Sequence, residues 1–567
     1  MESSLSDTEI RSGGILQSPR SPLLWLLLPT LSGLALARFF PSWGTPYALL
    51  LGTMGVSVLL WEQFQKNRHR CWFVVALPIS VLVLASAWGH LRLPLPDTPP
   101  AGYRPPREAT LEIEVLRPFQ TSVFPDYARG LGRIIETDPF TDRVRYREVQ
   151  YSVALADSTA SWHQPGARFT AKGVLEQMTP EATLDDPWTR ELINDGIHFR
   201  FRQASLRSFV PTQDGNLQAT WRAFQNRLQE TLTRSPPHLE AEAGIVAAML
   251  LGQRSLLASE DRDTFLHSGT MHLFAVSGLH VMAVAGALYL LGQVLRMPRR
   301  FCALFTVVLL AVYVAAIDFP PSAIRAFLMV TFYTLGRTFQ RNTSAFPAVT
   351  ASAVVILLLD PGQLQDLGFQ LSYLVVTSIL LWGLPLAEAL DRALRPAHLP
   401  LSEEEVKRRQ RLAKFRRRLL QAFAVSLSAT CASAPLIVTH FGLVSPGAIF
   451  LNLALVPAAG VIVVNSLLVI GLGFVGLTAM SQFQAHAGWL IASIMRLVVE
   501  SGLQIPGAAL SVQWRTPVLG PVVAIGFLAL LGILHTRRQP GTVLGKWALA
   551  APLIYTALCL GLGLSLR

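Results

Sequence analysis

The stretch FLHSGTMHLFAVSGLHVMAVAG, residues 265–286, puts His267, Ser268, His272, Ser277, Gly278 and His280 at the head of an apolar run that continues to about 295. A run of that length can cross a bilayer, which takes about 20 residues. Further apolar runs lie C-terminal to it at 301–318, 322–337, 344–359, 366–386, 420–438, 446–472, 484–500, 516–534 and 546–563. On the N-terminal side they fall at 22–38, 47–61 and 72–90. The pattern predicts a polytopic α-helical membrane protein of about 11–15 transmembrane helices. The 446–472 run reads as one long tilted helix or as a broken pair. The run EAEAGIVAAMLLGQ (240–253) is too short to span and reads as interfacial or partly inserted.

Composition agrees. Of 567 residues 51% are hydrophobic and 15% charged, against about 25% charged in soluble chains. The net charge of +12 would suggest nucleic acid in a soluble protein. Here it reads first as the Lys and Arg excess of cytoplasmic loops. EQFQKNRHR (62–70), RMPRR (296–300), RTFQRN (337–342), KRRQRLAKFRRR (407–418) and HTRRQPGTVLGK (535–546) all fall on one side when the segments are counted. That side is the cytoplasm, which puts the N-terminus inside and the C-terminus outside. The first apolar run follows a segment of mixed charge and is closely followed by a second, so it is expected to be a retained helix.

Residues 94–235 carry no membrane-length apolar run and are expected to form an extracytoplasmic insert. A Pro-rich linker, LPLPDTPPAGYRPP, leads into ATLEIEVL (109–116), EVQYSVAL (148–155) and GARFTAKGVLE (166–176). Period-two alternation there predicts antiparallel strands in a small barrel or sandwich, an OB-like barrel being one option. A trailing helix is expected within 204–235. Three parts result: N-terminal helices over 1–93, a β-rich domain over 94–235, and a helical membrane domain over 236–567. The four cysteines lie in or beside apolar segments, which argues against a disulfide framework or a Cys-ligated metal.

Polar residues interrupt the apolar segments near their outer ends. In DFPPSAIRAFLMV (318–330), Arg325 sits inside an apolar run. Its insertion costs about 2.5–3.5 kcal/mol, so it calls for a partner or water. Asp318, seven residues earlier, is one option, and a snorkelling Arg325 is another. In DPGQLQDLGFQLSYLVV (360–376), Asp366, Gln370 and Ser372 open a helix, with Gln370 one turn below Asp366. In THFGLVSPGAIFLNLALVPAAG (439–460), His440, Pro446, Asn452 and Pro457 predict a kinked or broken helix. His272 and His280 are about 80° apart around a continuous helix and would share a broad face, but SGLH can equally mark a break. These histidines read as hydrogen-bonding glue, as pore lining, or as metal or catalytic groups. No carboxylate adjoins them, so a metal site or a Ser-His-acid triad lacks local support.

The ordered set MLLGQRSLL (249–257), HSGTMHLFAVSGLHV (267–281), SAIRAFLM (322–329), LLLDPGQLQDLGFQLSYLVV (357–376) and VSPGAIFLNLALVPAAG (444–460) resembles the ComEC competence proteins, inner-membrane channels for DNA uptake in bacterial transformation. The resemblance implies a bacterial inner-membrane channel that passes single-stranded DNA to the cytoplasm. It implies an extracytoplasmic DNA receptor and a cytoplasmic helicase-like ATPase as partners, and it allows a homo-oligomer in the bilayer. His272, Ser277, Gly278, His280, Arg325, Gln370, Ser372, Asn452 and Pro457 are carried over as path residues or their supports. Asp366 joins them on the residue reading. The insert would match the family's extracytoplasmic domain, thought to be OB-like. Arg143, Arg145, Tyr146, Arg147, Tyr151, Phe169 and Lys172 could offer it a basic, base-stacking face, or be ordinary core and surface. Many members also carry a metallo-β-lactamase-like domain. No H-x-H-x-D-H string occurs here, so no nuclease, enzyme activity, metal or cofactor is expected. No G-x-x-x-x-G-K-[ST] loop occurs, so the chain is not expected to use ATP itself. The competing readings are a transporter for another polar solute and an intramembrane hydrolase using Ser277 with a histidine.

Overall fold

The computed structural model describes residues 106–119, 127–137, 147–154, 166–178, 197, 199–210, 216–253, 256–338, 345–395, 403–516, 518–537 and 543–566, with a few positions between 27 and 88. The expected segments 22–38, 47–61 and 72–90 otherwise lie outside the described residues. Leu34 and Ala85 are buried in one cluster with Leu357 and Phe369.

The insert is a closed five-stranded barrel. Strands β1 (Arg107–Phe119), β2 (Tyr127–Thr137), β3 (Glu148–Ala154), β4 (Arg168–Gln177) and β5 (Phe199–Val210) run in the order β1-β2-β3-β5-β4, and β4 returns to β1. All pairs are antiparallel except β3 with β5. Alternation decides which side chains enter: Val149, Tyr151 and Val153 point inward while their neighbours stay half-exposed. Leu111, Ile113, Ile134, Phe169, Leu175 and Phe201 complete the core. Gly173 is small because a Cβ there would lie 2.7 Å from the Ala204 Cβ across the β4–β5 pair.

The helical part begins with α1 (Asn216–Thr233), α2 (Glu240–Leu251) and α3 (Ser259–His267). A 3₁₀ turn at Met271–Phe274 leads to α4 (Gly278–Val294), α5 (Arg299–Ala316), α6 (Pro321–Thr338) and α7 (Ala345–Leu359). A π-turn at Ile379–Gly383 joins α8 (Leu367–Ser378) to α9 (Leu384–Ala393) without a break. Then come α10 (Glu403–Phe441), α11 (Ala448–Phe474), α12 (Thr478–Leu503), α13 (Leu519–Arg537) and α14 (Val543–Gly563). Every apolar run expected from 271 onward falls on these helices, the 366–386 run on the joined α8–α9.

Four stretches among the described residues are long and apolar enough to cross a membrane: α5, the joined α8–α9, Arg408–Phe441 of α10, and α11. Four more are apolar but shorter: α4, α7, Leu519–His535 and Leu549–Gly563. A small sheet of β6 (Leu443–Val444), β7 (Leu510–Trp514) and β8 (Leu564–Leu566) ties together the chain after α10, before α13 and after α14.

Several expectations are revised. The 240–253 run is a helix packed on all sides by protein: Glu242 through Leu251 are all buried, as a helix apolar on every side requires. It stops at Gly252, whose φ of 72° lets its N–H reach Ala248 O at 2.8 Å. The 271–295 run is two elements. Of the two forms expected for the 446–472 run, one long helix or a broken pair, the structure has the one helix, with Pro457 inside it. The basic run 407–418 is no loop, since α10 is helical from Glu403.

Candidate functional site

The break before α4 is built by Ser277. Its extended backbone (φ −95°, ψ 169°) ends the preceding turn, and it caps the new helix. Its N–H donates to His280 Nδ1 at 3.1 Å, and its Oγ lies 2.9 Å from the same nitrogen. This is a capping box with histidine in the place of the usual Glu or Gln. Because Nδ1 accepts from a backbone N–H, the neutral ring carries its proton on Nε2. That N–H is fully buried and finds no partner among the described residues. His272 lies on the far side of the break, exposed on the 3₁₀ turn, with Nδ1 3.2 Å from Gly269 O. The two histidines therefore do not share a helix face, because the chain between them is not one helix.

Arg325, on the second turn of α6, is 4% exposed. Its partner is Asp366 at 3.3 Å, not Asp318. The burial excludes a snorkelling side chain. Asp366 also caps α8, accepting from Phe369 N at 2.7 Å. Gly368 leaves the room: a Cβ there would lie 2.9 Å from an Arg325 terminal nitrogen. Arg325 Nε is buried and has no hydrogen-bond partner among the described residues. Gln370, a turn below Asp366, folds back to Leu364 O at 3.0 Å, and Ser372 is half-buried nearby on α8. Gly278 meets α6 beside Arg325, with 3.9 Å from its ideal Cβ to the Ala326 Cβ. α6 thus meets α4 where Ala326 faces Gly278, and meets α8 through the Arg325–Asp366 pair.

Asn452 belongs to a second group. Its Nδ2 donates to Ser426 Oγ on α10 at 3.5 Å, while its buried Oδ1 has no partner among the described residues. Pro457 lies one turn further along α11. His272 is linked to this group through its own turn: Gly269 packs on Ser445 and Ala448 at the start of α11.

Asp318 has a different task. With Phe319 it forms a turn of positive φ (62° and 51°), and Gln225 of α1 donates to Ala316 O at 3.1 Å and to Asp318 Oδ1 at 2.8 Å. Sequence reasoning also passed over Arg496. It contacts Glu242 at 3.1 Å, Glu500 at 3.8 Å and Asp261 at 3.9 Å, joining α12 to α2 and α3. The signal was available: Arg496 and Glu242 are charges inside apolar runs, the same criterion that singled out Arg325. Burial raises the Asp261 carboxyl above its usual range, Arg496 opposes this, and Glu242 adds to it.

In the barrel, Tyr151 and Phe169 are core residues in edge-to-face contact at 5.1 Å, not a stacking surface. Lys172 pairs with Glu108 at 2.9 Å. Arg147 is exposed. Arg143, Arg145 and Tyr146 lie outside the described residues.

The sequence profile of a family described as "Competence protein" matches residues 249–539, just over half of the chain. ComE operon protein 3 of Bacillus subtilis is 28% identical over 221 residues, 38% of this chain and 28% of that protein. Recombination protein 2 of Haemophilus influenzae is 27% identical over 146 residues, 24% of this chain and 18% of that protein. Both alignments cover less than a third of the relative's own length. No solved structure matches. The matched span contains every residue of the two polar groups, and the chain belongs to the ComEC competence protein family.

Proposed function

We propose that the protein is a channel in the bacterial inner membrane that passes single-stranded DNA to the cytoplasm during natural transformation. The observation that carries this is the pair of polar groups, Ser277–His280 on α4 and Arg325–Asp366 between α6 and α8, set among apolar helices within the family span. Buried charges and donors among the apolar helices of a membrane protein are kept where they serve a polar path. Arg325 Nε–H and His280 Nε2–H are buried donors, the type an internal water beside such a path would satisfy. On this reading the N-terminus is cytoplasmic and the barrel extracytoplasmic. An extracytoplasmic receptor delivers DNA and a cytoplasmic helicase-like ATPase draws the strand in.

The barrel's strand order, with β3 parallel to β5 and β4 closing on β1, supports an OB-like reading, a fold used for oligonucleotides. With Tyr151 and Phe169 inside, contact would fall to Arg147 and the connecting loops. Ser277 reads as a helix cap rather than a nucleophile, since His280 Nδ1 already accepts the Ser277 N–H. No catalytic step is assigned.

The test is import of labelled double-stranded DNA into a DNase-resistant cytoplasmic pool. A clean deletion should abolish import while surface binding persists, and His280→Ala and Arg325→Ala should each reduce it. Undiminished import in the deletion, in a parent with measurable uptake, would overturn the reading in favour of a transporter for another polar solute.

A further inference from the structure

The two ends of α11 sit at unexpected depths. Ser378 of α8 meets Ser428 of α10 at 2.8 Å, and Gly383 lies against Ser428 and Ala424, so the two helices run antiparallel. Asp366 is twelve residues before Ser378 and His440 twelve after Ser428, about 18 Å along each helix in the same direction. Asp366, its partner Arg325, and the end of α10 therefore share one level, far from the basic end of α10. Asp318, one turn before α6 begins, is at or beyond that level.

The start of α11 is deep. Ser426 Oγ donates to Ile449 O at 3.0 Å, and Phe423 packs on Phe450 at 6.3 Å. Ser426 is fifteen residues back from Phe441, about 22 Å along α10. The end of α11 is not deeper still. Phe474 packs on Phe224 at 5.5 Å and under Arg227 at 5.1 Å, both on α1. Gln225, between them, holds the Asp318 turn. The helix thus runs back toward the side on which α10 ended. α12 retraces it: Gly502 lies against Leu451. The links at each foot are turns with short paired strands, Gly447 N meeting Ala508 O at 3.1 Å and Val512 N meeting Gly442 O at 2.9 Å.

We propose that α11–α12 is a re-entrant hairpin. The chain dips from the outer side to mid-membrane through 442–447, turns, and returns, so the tip at 475–478 stands on the outer side. Its floor, Ser445 to Asn452 with Ile505 to Ala508, forms the narrow point of the DNA path. The second statement rests on the channel reading; the first does not. Non-helical backbone at membrane depth survives where it is packed in protein or lines a watered cavity, and Asn452 Oδ1, without a partner among the described residues, suits such a lining. Loop charges could not reveal this. Two crossings and one dip leave the same parity, and 473–484 carries no charged residue.

Single cysteines in a chain otherwise cleared of cysteine test it, probed with a membrane-impermeant maleimide. Thr478→Cys should label with the outer membrane opened and the inner membrane intact, as should Arg147→Cys on the barrel. Gly541→Cys should label only after the inner membrane is permeabilised. Thr478→Cys behaving like Gly541→Cys would overturn the hairpin. For the floor, a small charged thiosulfonate should modify Ser445→Cys and cut DNA import at least tenfold, while modified Thr478→Cys imports normally. No modification at Ser445→Cys, or modification without loss of import, would overturn the floor. Labelling at Thr478 needs no DNA, so the hairpin can fail while the channel reading stands, and the reverse.

Discussion

Arg325 shows how a single charge organises its neighbours. The side chain is almost wholly buried, and Asp366 is its counter-charge. Removing one partner of such a pair leaves an uncompensated charge, which costs about 3–5 kcal/mol in buried cases. Asp366 is partly exposed, so the low end applies: Asp366→Ala should lower stability by about 3 kcal/mol, read from denaturation in detergent. Arg325→Met with Asp366→Leu should recover most of that loss, because no charge is then stranded. If the pair serves the path, the recovered protein still fails to import DNA. At Asp261 the relevant variable is pH. Its raised carboxyl means the folded state holds a proton that the unfolded state has already released. Stability is therefore greatest below the ordinary carboxylate range and falls as pH rises through the window up to the raised value. Asp261→Asn should flatten that decline and raise the melting temperature near neutrality. An unchanged pH slope would remove Asp261 as its source. That Arg325 needed a partner was legible from its place in an apolar run. Which carboxylate served was not, because Asp318 is nearer in sequence but turns toward Gln225.

Among the elements, helix contacts are set by small residues. A Cβ on Gly520 would overlap Thr439 Oγ1 and stand 2.8 Å from Pro435 O, so α13 can touch α10 only without one. Gly520→Val should cost about 1–3 kcal/mol by overpacking and also disturb the Trp514 indole, which donates to Pro435 O at 3.1 Å. A red shift of Trp514 fluorescence against a background cleared of nearby tryptophans would report it; an unshifted spectrum and unchanged melt would show that α13 can slide. Apolar length alone located at least part of every helix from α4 onward, but not the basic first half of α10. It could not show that α2 is core, since a short apolar helix and an interfacial one look alike until neighbours are known. Nor could it place the ends of α11, because proline at 457 permits a bend without requiring a break. The break before α4 was readable as an option in SGLH. The donor behind it, the Ser277 N–H to a histidine three residues on, is a local hydrogen bond that composition does not announce.

At the scale of the whole molecule, the barrel and the helical bundle have separate apolar cores. Residues 101–212 made alone should unfold in one cooperative transition, followed by circular dichroism; a broad, sloping melt would mean the barrel depends on the helices. If this fragment binds single-stranded DNA, its affinity should fall steeply with salt, since backbone charge would dominate. Period-two alternation made the strands legible, and their closure into a barrel follows from a pairing order that no local pattern contains. The long helix α10 carries a further consequence. It is continuous for 39 residues, about 58 Å, from a basic end to the turn that begins the descent to α11. Arg416 binds Asp391 at 2.9 Å and Leu394 O at 2.8 Å, clamping this shaft to α9 near its basic end. A stiff shaft conveys thrust as well as position. A load applied to the basic end would be carried along the shaft to Pro435, where the interrupted intrahelical ladder lets it bend before the β6–β7 junction.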